Sequence, residues 1–273
     1  MIPAEFDYVR ATSVDEALAA LRDGGEDAKL LAGGHSLLPL MKVRFAQPSM
    51  LVDIGRLSDL SYVREDGDQV AIGALTRHHD VEASDALHEL CPIVSYTAGT
   101  IGDPQVRHMG TIGGSVAHAD AASDMPTVLL ALDASMVAQG PNGTRTIPAA
   151  EFFVGLFTSA LEPNEVLTEI RVPKTSAGWS YLKFHRRAQD WAMVGVAAVR
   201  MNGGAHVALT NMGDRPLRAS SVEQALESGA DPATAAASAA DGTAPPSDAF
   251  GSAEYRRELS KVLVRRAIED AMN

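Results

Sequence analysis

The chain has 273 residues, of which 46% are hydrophobic, 21% charged and 5% aromatic, and this composition excludes a disordered or fibrous protein. With 23 Lys and Arg residues against 35 Asp and Glu residues, the formal net charge is -12, so a nucleic acid backbone is repelled on average and is not an expected partner. No apolar run reaches about 18 residues and the N-terminus lacks a basic segment followed by an apolar stretch, so we predict a cytoplasmic protein without a transmembrane segment.

The first 57 residues predict one helix and two short strands. Ser13 and Glu16 have the spacing of a capping box, and apolar residues recur at helical intervals until Gly24 ends the pattern. The predicted elements are a helix over residues 13–22, strands over residues 29–32 and 50–54, and a loop or half-helix over residues 36–44. A unit of this size cannot cover both faces of a sheet, so we expect it to pack against the residues that follow.

The next segment, as far as Pro173, predicts a larger unit in which strands and helices alternate. The predicted strands cover residues 69–72, 135–138 and 166–172, and the predicted helices cover residues 84–100 and 121–132. The sequence therefore predicts a second α+β unit.

After Pro173 the pattern changes to antiparallel strands followed by helices. Asn202, Gly203 and Gly204 suit a hairpin turn because these residue types tolerate positive φ. The predicted elements are strands over residues 180–185, 194–201 and 206–210, two helices within residues 220–241, and an amphipathic helix over residues 252–272. They predict a three-stranded sheet covered by a helical layer. The basic residues of the last helix, Arg256 among them, face either a partner or solvent, with solvent favoured.

Two double-glycine loops carry the strongest functional signal. AGGHS (residues 32–36) follows a predicted strand, and TIGGS (residues 111–115) lies later in the chain. Glycine backbone lets a ligand come close and presents N–H groups as an anion-binding nest. Either loop alone is typical of a turn, but two such loops together could hold the two phosphates of a dinucleotide. The glycine spacing fits neither the Rossmann fingerprint nor the phosphate loop of nucleotide hydrolases.

Asp124 lies at the start of a predicted helix, beside Ser123 and ahead of Pro126. Two roles are consistent with this position. One is capping of the helix N-terminus, and the other is acceptance of hydrogen bonds from ribose hydroxyls, which dinucleotide sites often assign to an acidic residue. The two roles are compatible, and both remain open.

The chain carries little that could act as a nucleophile or a metal ligand. Cys91 is its only cysteine, so neither an internal disulfide nor an iron–sulfur cluster with four cysteine ligands can form. Cys91 precedes Pro92 in a predicted helical region and is expected to be a buried structural thiol. His78 and His79 suggest a metal, but adjacent histidines diverge and no second cluster supplies further ligands, so we predict no metal site and no catalytic residue. If the chain transfers electrons, an organic cofactor must carry them.

Residues 183–191, KFHRRAQDW, form a cationic run at the end of a predicted strand. Such runs are most often solvated surface. The functional alternative is that the positive charge lies near a ring system that becomes anionic when it accepts electrons.

Five segments together resemble the FAD-binding medium subunit of molybdenum hydroxylases, the group of carbon monoxide dehydrogenase and xanthine dehydrogenase. The segments span nearly the whole chain and comprise residues 29–54, 111–126, 152–173, 183–199 and 251–268. AGGHS or TIGGS alone would be only suggestive, whereas the five segments together are specific.

The resemblance implies an α+β fold with three parts. A two-subdomain FAD-binding fold of the vanillyl-alcohol-oxidase or PCMH type is followed by a C-terminal small antiparallel sheet with a helical bundle. The implied ranges are residues 1–57 for FAD-binding subdomain 1, residues 58–175 for FAD-binding subdomain 2, and residues 176–273 for a C-terminal flavoprotein domain with a three-stranded sheet and helices.

The resemblance also implies FAD as the cofactor and assigns residues to it. The two glycine loops would hold the pyrophosphate, Asp124 would contact the adenosine side, Ile101 would pack near the isoalloxazine, and Leu167 is a weaker candidate for flavin packing. The implied cofactor-binding residues are Leu30, Leu31, Ala32, Gly33, Gly34, His35, Ser36, Leu37, Ile101, Thr111, Ile112, Gly113, Gly114, Ser115, Asp124 and Leu167.

Two positions depart from the family pattern. The second loop ends in Ser115 where the family often has Asn, so a hydroxyl replaces a side-chain amide. Xanthine dehydrogenase relatives carry a lysine at the position of Met193, so the expected cation beside the flavin is missing there, and Arg186 or Arg187 would replace it only in part.

The implied function is electron transfer as one subunit of a heteromeric complex. A molybdenum-cofactor large subunit oxidises the substrate, a small subunit with 2Fe-2S clusters relays electrons, and the FAD of this chain collects two and passes them to an external acceptor. A dimer of heterotrimers is expected. Two alternatives remain: a stand-alone FAD-dependent oxidase or dehydrogenase of the same fold, with its flavin attached to His35, and a non-catalytic flavin-binding scaffold.

Overall fold

A small parallel sheet begins the chain in the computed structural model, which describes residues 2–175, 178–201 and 204–272. Its elements are β1 (Asp7–Arg10), α1 (Val14–Gly24), β2 (Ala28–Leu31), α2 (Leu37–Lys42) and β3 (Met50–Asp53). β3 lies between β1 and β2 and pairs in parallel with both. The helix and the two strands predicted here are confirmed. β1 escapes sequence-based prediction because it has four residues and is mostly exposed.

Ser13 caps helix α1 as predicted. The second hydrogen bond of the cap, accepted by the Glu16 side chain, comes from Thr12 and not from Ser13. The Ser13 hydroxyl accepts the N–H of Glu16 at 3.1 Å. The Glu16 carboxylate accepts the N–H of Thr12 at 2.7 Å, where a capping box would use that of Ser13. The helix start is thereby tied to the chain that enters from β1.

The second part of the chain is a five-stranded antiparallel sheet with helices packed on it. Its elements are β4 (Val63–Asp66), β5 (Gln69–Gly73), α3 (His78–Glu82), α4 (Asp85–Leu90), α5 (Pro92–Gly99), α6 (Pro104–Met109), α7 (Ile112–His118), α8 (Asp124–Ala131), β6 (Ser135–Gly140), β7 (Gly143–Pro148), α9 (Ala149–Phe152), β8 (Phe153–Gly155), β9 (Thr158–Ser159) and β10 (Val166–Pro173). The strand order is β4-β5-β10-β6-β7, so β10, the last of the five in sequence, is central. β8 and β9 form a separate hairpin.

The strands and helices predicted for this part are confirmed, except that one predicted helix is divided into two. β5, β6, β10 and α8 cover the predicted strands and the second predicted helix. The helix predicted over residues 84–100 is divided into α4 and α5, because Pro92 lacks an N–H and begins a new helix.

The last part of the chain is a four-stranded antiparallel sheet with helices packed on it. Its elements are β11 (Trp179–Phe184), β12 (Val194–Met201), β13 (Gly204–Thr210), β14 (Leu217–Arg218), α10 (Ser220–Glu227), α11 (Pro232–Ala236) and α12 (Ala253–Met272). The strand order is β11-β12-β13-β14. The sequence predicts three of these strands, since two-residue β14 is too short to give a pattern. The predicted turn residues Asn202 and Gly203 lie outside the described residues.

Strand β12 is covered on both faces and joins the two larger parts of the molecule. Ala197 and Val199 belong to the core that contains α8, whereas Val196 and Ala198 belong to the core that contains α12. Successive residues of a strand point to opposite faces, so each set packs on a different layer of helices. The C-terminal sheet is therefore packed directly against the five-stranded part.

Helix α12 corrects the prediction for one basic residue. Arg256 is 1% exposed, and its guanidinium donates to the Met193 carbonyl and to the Asp248 carboxylate, so it faces neither solvent nor a partner. Pairing with a carboxylate is what allows a guanidinium to be buried. No described helix, α12 included, is both long enough and apolar enough to cross a membrane.

Candidate cofactor-binding cleft

A cleft of about 650 Å³ opens where the three parts of the molecule meet. Its walls come from the loop after β2, the segment from α5 to α8, strand β10, and the loop that begins on β11. Its volume is within the range of about 300–1,000 Å³ that small-molecule and cofactor sites occupy. Every cofactor-binding residue predicted from the sequence lines this cleft except Ile112, which is fully buried beneath it.

The first glycine loop connects β2 to α2 and has free backbone donors. A Cβ atom on Gly33 would lie 2.2 Å from the carbonyl oxygen of Met109, and Gly34 has a φ of +74°, so both positions favour glycine. Within the described residues, the N–H groups of Gly33, Gly34, His35 and Ser36 form no hydrogen bond to protein. The imidazole Nδ1 of His35 lies 3.1 Å from the Gly33 carbonyl oxygen. The loop therefore lines the cleft with residues whose N–H groups remain available to an anion.

The second glycine loop differs from the first because it opens helix α7. The N–H groups of Ile112, Gly113, Gly114 and Ser115 all donate within the protein, at 2.8 to 3.1 Å. Two of the acceptors are carbonyls of the segment after β5, and the other two belong to Thr111. The predicted nest of N–H donors is thus present in the first loop but not in the second. A ligand would meet the second loop through its glycine Cα atoms and its hydroxyl groups.

Asp124 lies in the cleft wall as one half of a buried ion pair. Its carboxylate accepts the Tyr181 hydroxyl at 2.5 Å and the Lys183 ammonium at 2.8 Å, and the side chains of Asp124 and Lys183 are each 7% exposed. Burial raises the pKa of Asp124 above its ordinary value, and the neighbouring ammonium opposes that rise. The N-cap residue of α8 is Ser123, so the structure does not support the capping role for Asp124.

The same ion pair fixes the position of Asp124 relative to Ile101. Lys183 Nζ also donates to the Thr100 carbonyl at 3.0 Å, so Asp124 and the backbone next to Ile101 share one ammonium group. The resemblance assigns Asp124 to the adenosine side of FAD and Ile101 to the isoalloxazine. In the structure the two positions are linked through the Lys183 ammonium. Both oxygens of Asp124 already have partners within the protein, which does not favour a free ribose acceptor.

Lys183 lines the cleft and belongs to the basic run for which the sequence analysis leaves two interpretations, solvated surface and positive charge near a ring system. It lies on β11 two residues after Tyr181, and the alternation of a strand puts both side chains on one face. Met193, where relatives were expected to carry a lysine, does not line the cleft, and the exposed Arg187 pairs with Asp190. Lys183 is therefore the lysine of the cleft wall near Ile101, whose own carbonyl accepts from the Arg107 guanidinium at 3.1 Å. The alternation of Tyr181 and Lys183 is the signal in the sequence that could have identified it.

His78 also borders the cleft, although the sequence analysis rejects it as a metal ligand and assigns it no other role. The residue is 3% exposed, and its Nδ1 has no hydrogen-bond partner. Burial, reinforced by the charges of Arg107 and His35, lowers the pKa of His78 to about 4. The ring of His79 stacks instead on that of His108, with 4.1 Å between centroids. No group of three or more potential metal ligands occurs among the described residues.

The titration of His78 predicts a loss of stability in acid. Its pKa is about 4 in the fold against an ordinary value of 6.5, so between these pH values the unfolded chain binds a proton that the folded chain does not. The stability contributed by neutral His78 is complete above about pH 6.5 and falls by about 3 kcal/mol as the pH decreases to 4. Urea unfolding across this range should show a shallower loss in His78→Gln than in the wild type. Equal slopes in the two proteins would contradict the prediction.

Known proteins resemble this chain along its whole length. Residues 4–175 match the family model described as the FAD binding domain in molybdopterin dehydrogenase, and residues 179–271 match that of the CO dehydrogenase flavoprotein C-terminal domain. The carbon monoxide dehydrogenase medium chain of Hydrogenophaga pseudoflava is 43% identical over 99% of this chain and 98% of its own length. The 6-hydroxypseudooxynicotine dehydrogenase complex subunit alpha of Paenarthrobacter nicotinovorans is 41% identical over 100% of this chain and 96% of its own. A solved structure of carbon monoxide dehydrogenase from Hydrogenophaga pseudoflava contains a chain that superposes with a TM-score of 0.94 at 43% identity, covering 100% of this chain and 99% of that one.

Proposed function

Because this chain belongs to the family of FAD-binding medium subunits of molybdenum hydroxylases, we propose that it is the electron-transfer subunit of such a complex. It receives electrons from an iron–sulfur subunit and passes them to an external acceptor. The observation that carries this proposal is the first glycine loop, which lines a cleft of cofactor size and whose N–H groups have no acceptor within the described residues. The predicted α+β fold, an FAD-binding part followed by a flavoprotein C-terminal domain, is confirmed by the family matches.

The residues of the cleft fit FAD. The N–H groups of residues 33–36 would donate to its pyrophosphate, and glycine there leaves no Cβ in the way of the phosphate. Ile101 and Leu167 would pack on the ring system, and the ion pair of Lys183 and Asp124 would lie nearby. FAD supplies the redox chemistry when it is bound, because it exchanges electrons singly or in pairs. The proposed site is the residue set predicted from the sequence, without Ile112 and with Lys183 added.

The other redox centres are assigned to partner chains. The relatives are named as a medium chain and as a subunit of a complex, which describes enzymes of several subunits. Cys91 of this chain is fully buried, and burial raises the pKa of its thiol to about 12, as suits the predicted structural role. We infer a molybdenum-cofactor large subunit and a 2Fe-2S small subunit, assembled as a dimer of heterotrimers in the cytoplasm. The domain ranges 1–57, 58–175 and 176–273 are part of the same proposal.

Substrate selection is assigned to the large subunit. Relatives named for carbon monoxide and for 6-hydroxypseudooxynicotine are 43% and 41% identical to this chain over nearly its whole length. Two such different substrates are compatible with medium subunits that resemble this one equally. The chain therefore serves the step that the complexes share, which is electron transfer away from the substrate.

Purification of the chain from its native host tests this function. We expect one FAD per chain from the flavin absorption of the desalted protein, together with co-purifying chains that carry molybdenum and iron–sulfur clusters by metal analysis. In the assembled protein, the substrate of the complex should then reduce the flavin without added dithionite. A flavin-loaded chain without partners would favour the stand-alone enzyme. A chain that retains no FAD, even in the complex, would contradict the proposed function.

A further inference from the structure

The imidazole of His78 forms the floor of the cleft where the two glycine loops meet. Its backbone N–H donates to the Gly110 carbonyl at 3.0 Å. A Cβ on Gly110 would lie 2.9 Å from Cδ2 of the His78 ring, and a Cβ on Gly33 would lie 2.9 Å from the Cα of Gly110. The ring, Gly110 and the first loop are therefore stacked in close contact along the cleft.

The surroundings of the ring show which atom is left to reach a ligand. Nδ1 is enclosed without a partner, whereas Nε2, which would lie 3.4 Å from a Cβ on Gly110, is not among the enclosed polar atoms without a partner, so the edge of the ring that borders the cleft is the one with Nε2. A buried N–H without an acceptor is rarer than a buried acceptor without a donor, so the single proton of the neutral imidazole belongs on Nε2. The ring is neutral at pH 7 because burial lowers its pKa to about 4. His78 thus has one uncharged N–H donor for the cleft.

The backbone donors around the cleft are unevenly distributed. The first loop has free N–H groups, whereas those of residues 112–115 all have acceptors within the protein. A pyrophosphate carries acceptor oxygens on both phosphorus atoms. When these oxygens lose their hydrogen bonds to water on binding, they need hydrogen-bond donors from the protein. We propose that the Nε2–H of His78 donates a hydrogen bond to the pyrophosphate of FAD, from the floor of the cleft, where the second loop has no free N–H. The proposal rests on FAD being the cofactor of this chain.

Two substitutions of His78 distinguish the effect of losing the Nε2–H donor from the effect of losing the shape of the ring. Glutamine places its amide nitrogen near the position of Nε2, whereas asparagine places it near that of Nδ1. His79→Asn is the matched control, because His79 is the next residue of α3 and stacks on His108 without lining the cleft. A role of His78 as a wedge beneath Gly110 would make both substitutions of His78 equally harmful.

Full-length apoprotein is titrated with FAD, with ADP and with riboflavin. We expect the Kd for FAD to rise about tenfold in His78→Asn and to stay within about threefold of the wild type in His78→Gln and His79→Asn. ADP, which carries a diphosphate, should lose affinity for His78→Asn by a similar factor. Riboflavin, which carries no phosphate, should not.

The outcomes distinguish this inference from the function on which it rests. Equal weakening of FAD binding by asparagine and glutamine, or an equal loss for riboflavin, would overturn the role of Nε2. Unchanged FAD affinity in His78→Asn would also overturn it and leave the proposed function intact. Failure of the wild type to bind FAD in the complex as well as alone would overturn both. If the melting curve of apo His78→Asn shows that it does not fold, His78→Leu replaces it, because leucine fills the space without a donor.

Discussion

Gly33→Val combined with Gly114→Val is expected to abolish FAD retention, with the Kd raised more than about 100-fold. A Cβ at Gly33 would lie 2.2 Å from the Met109 carbonyl oxygen, so the first loop must move and its free N–H groups must move with it. At Gly114 the Cβ would lie 2.7 Å from the Thr111 hydroxyl, which caps α7. The flavin absorption of the desalted protein measures the loss.

The single variants show how much each loop contributes. Gly33 meets backbone atoms that cannot rotate away, whereas Gly114 meets one side-chain hydroxyl and then no atom closer than 3.9 Å. We therefore expect Gly33→Val to lose more FAD, and more thermal stability, than Gly114→Val. Gly204→Val in β13 is the control, because the nearest atoms to its Cβ are 3.9 Å away. Normal FAD content in the double variant would contradict the assignment of both loops.

The glycine loops could be found in the sequence as two double glycines. Gly33 must be glycine because of a tertiary contact, with the Met109 carbonyl, whereas the requirement at Gly34 is local. Gly34 has positive φ, which is a property of its own backbone. The use of the N–H groups could not be found in the same way. In the second loop they are occupied because Thr111 caps α7 and because the segment after β5 runs alongside, and the second of these is a tertiary contact. Two loops that look alike in sequence therefore differ in what they can donate.

The elements predicted correctly are those in which buried apolar residues recur at regular intervals along the sequence. Strand β12 is buried along most of its length, and α1 has a clear apolar face. The short strands β1 and β14 carry no such pattern. The central place of β10 between β5 and β6 depends on pairing between residues far apart in sequence, which local periodicity does not encode.

His78 and Lys183 show the corresponding limit for the candidate site. One histidine of a pair and one lysine in a basic run are ordinary surface residues by local pattern. Their position in the cleft arises from the packing of α3 beneath Gly110 and of β11 against α8. Burial then changes their chemistry: it leaves His78 neutral at pH 7 and makes the ammonium of Lys183 the partner of a buried carboxylate.

Lys183→Met is expected to destabilise the fold by about 3–5 kcal/mol, because it leaves the Asp124 carboxylate buried without its cation. Tyr181 remains as a hydrogen-bond donor but carries no charge. Burial already raises the pKa of Asp124, and loss of the ammonium raises it further. The folded state then holds this proton more tightly than the unfolded state, so the stability of the variant decreases as the pH rises above about 4. Urea unfolding at pH 5 and pH 7 should show the larger deficit relative to wild type at pH 7.

Asp124→Asn combined with Lys183→Met decides whether the loss comes from the unpaired charge. Asparagine keeps an acceptor for the Tyr181 hydroxyl and has no charge to desolvate, so the double variant should recover most of the stability that Lys183→Met alone loses. A double variant as unstable as the single one would place the loss in the packing of the lysine stem near Thr100 instead. FAD titration of the same proteins separates folding from binding. Because the ion pair lies in the cleft wall beside Ile101, the double variant should regain stability while its affinity for FAD remains below that of the wild type.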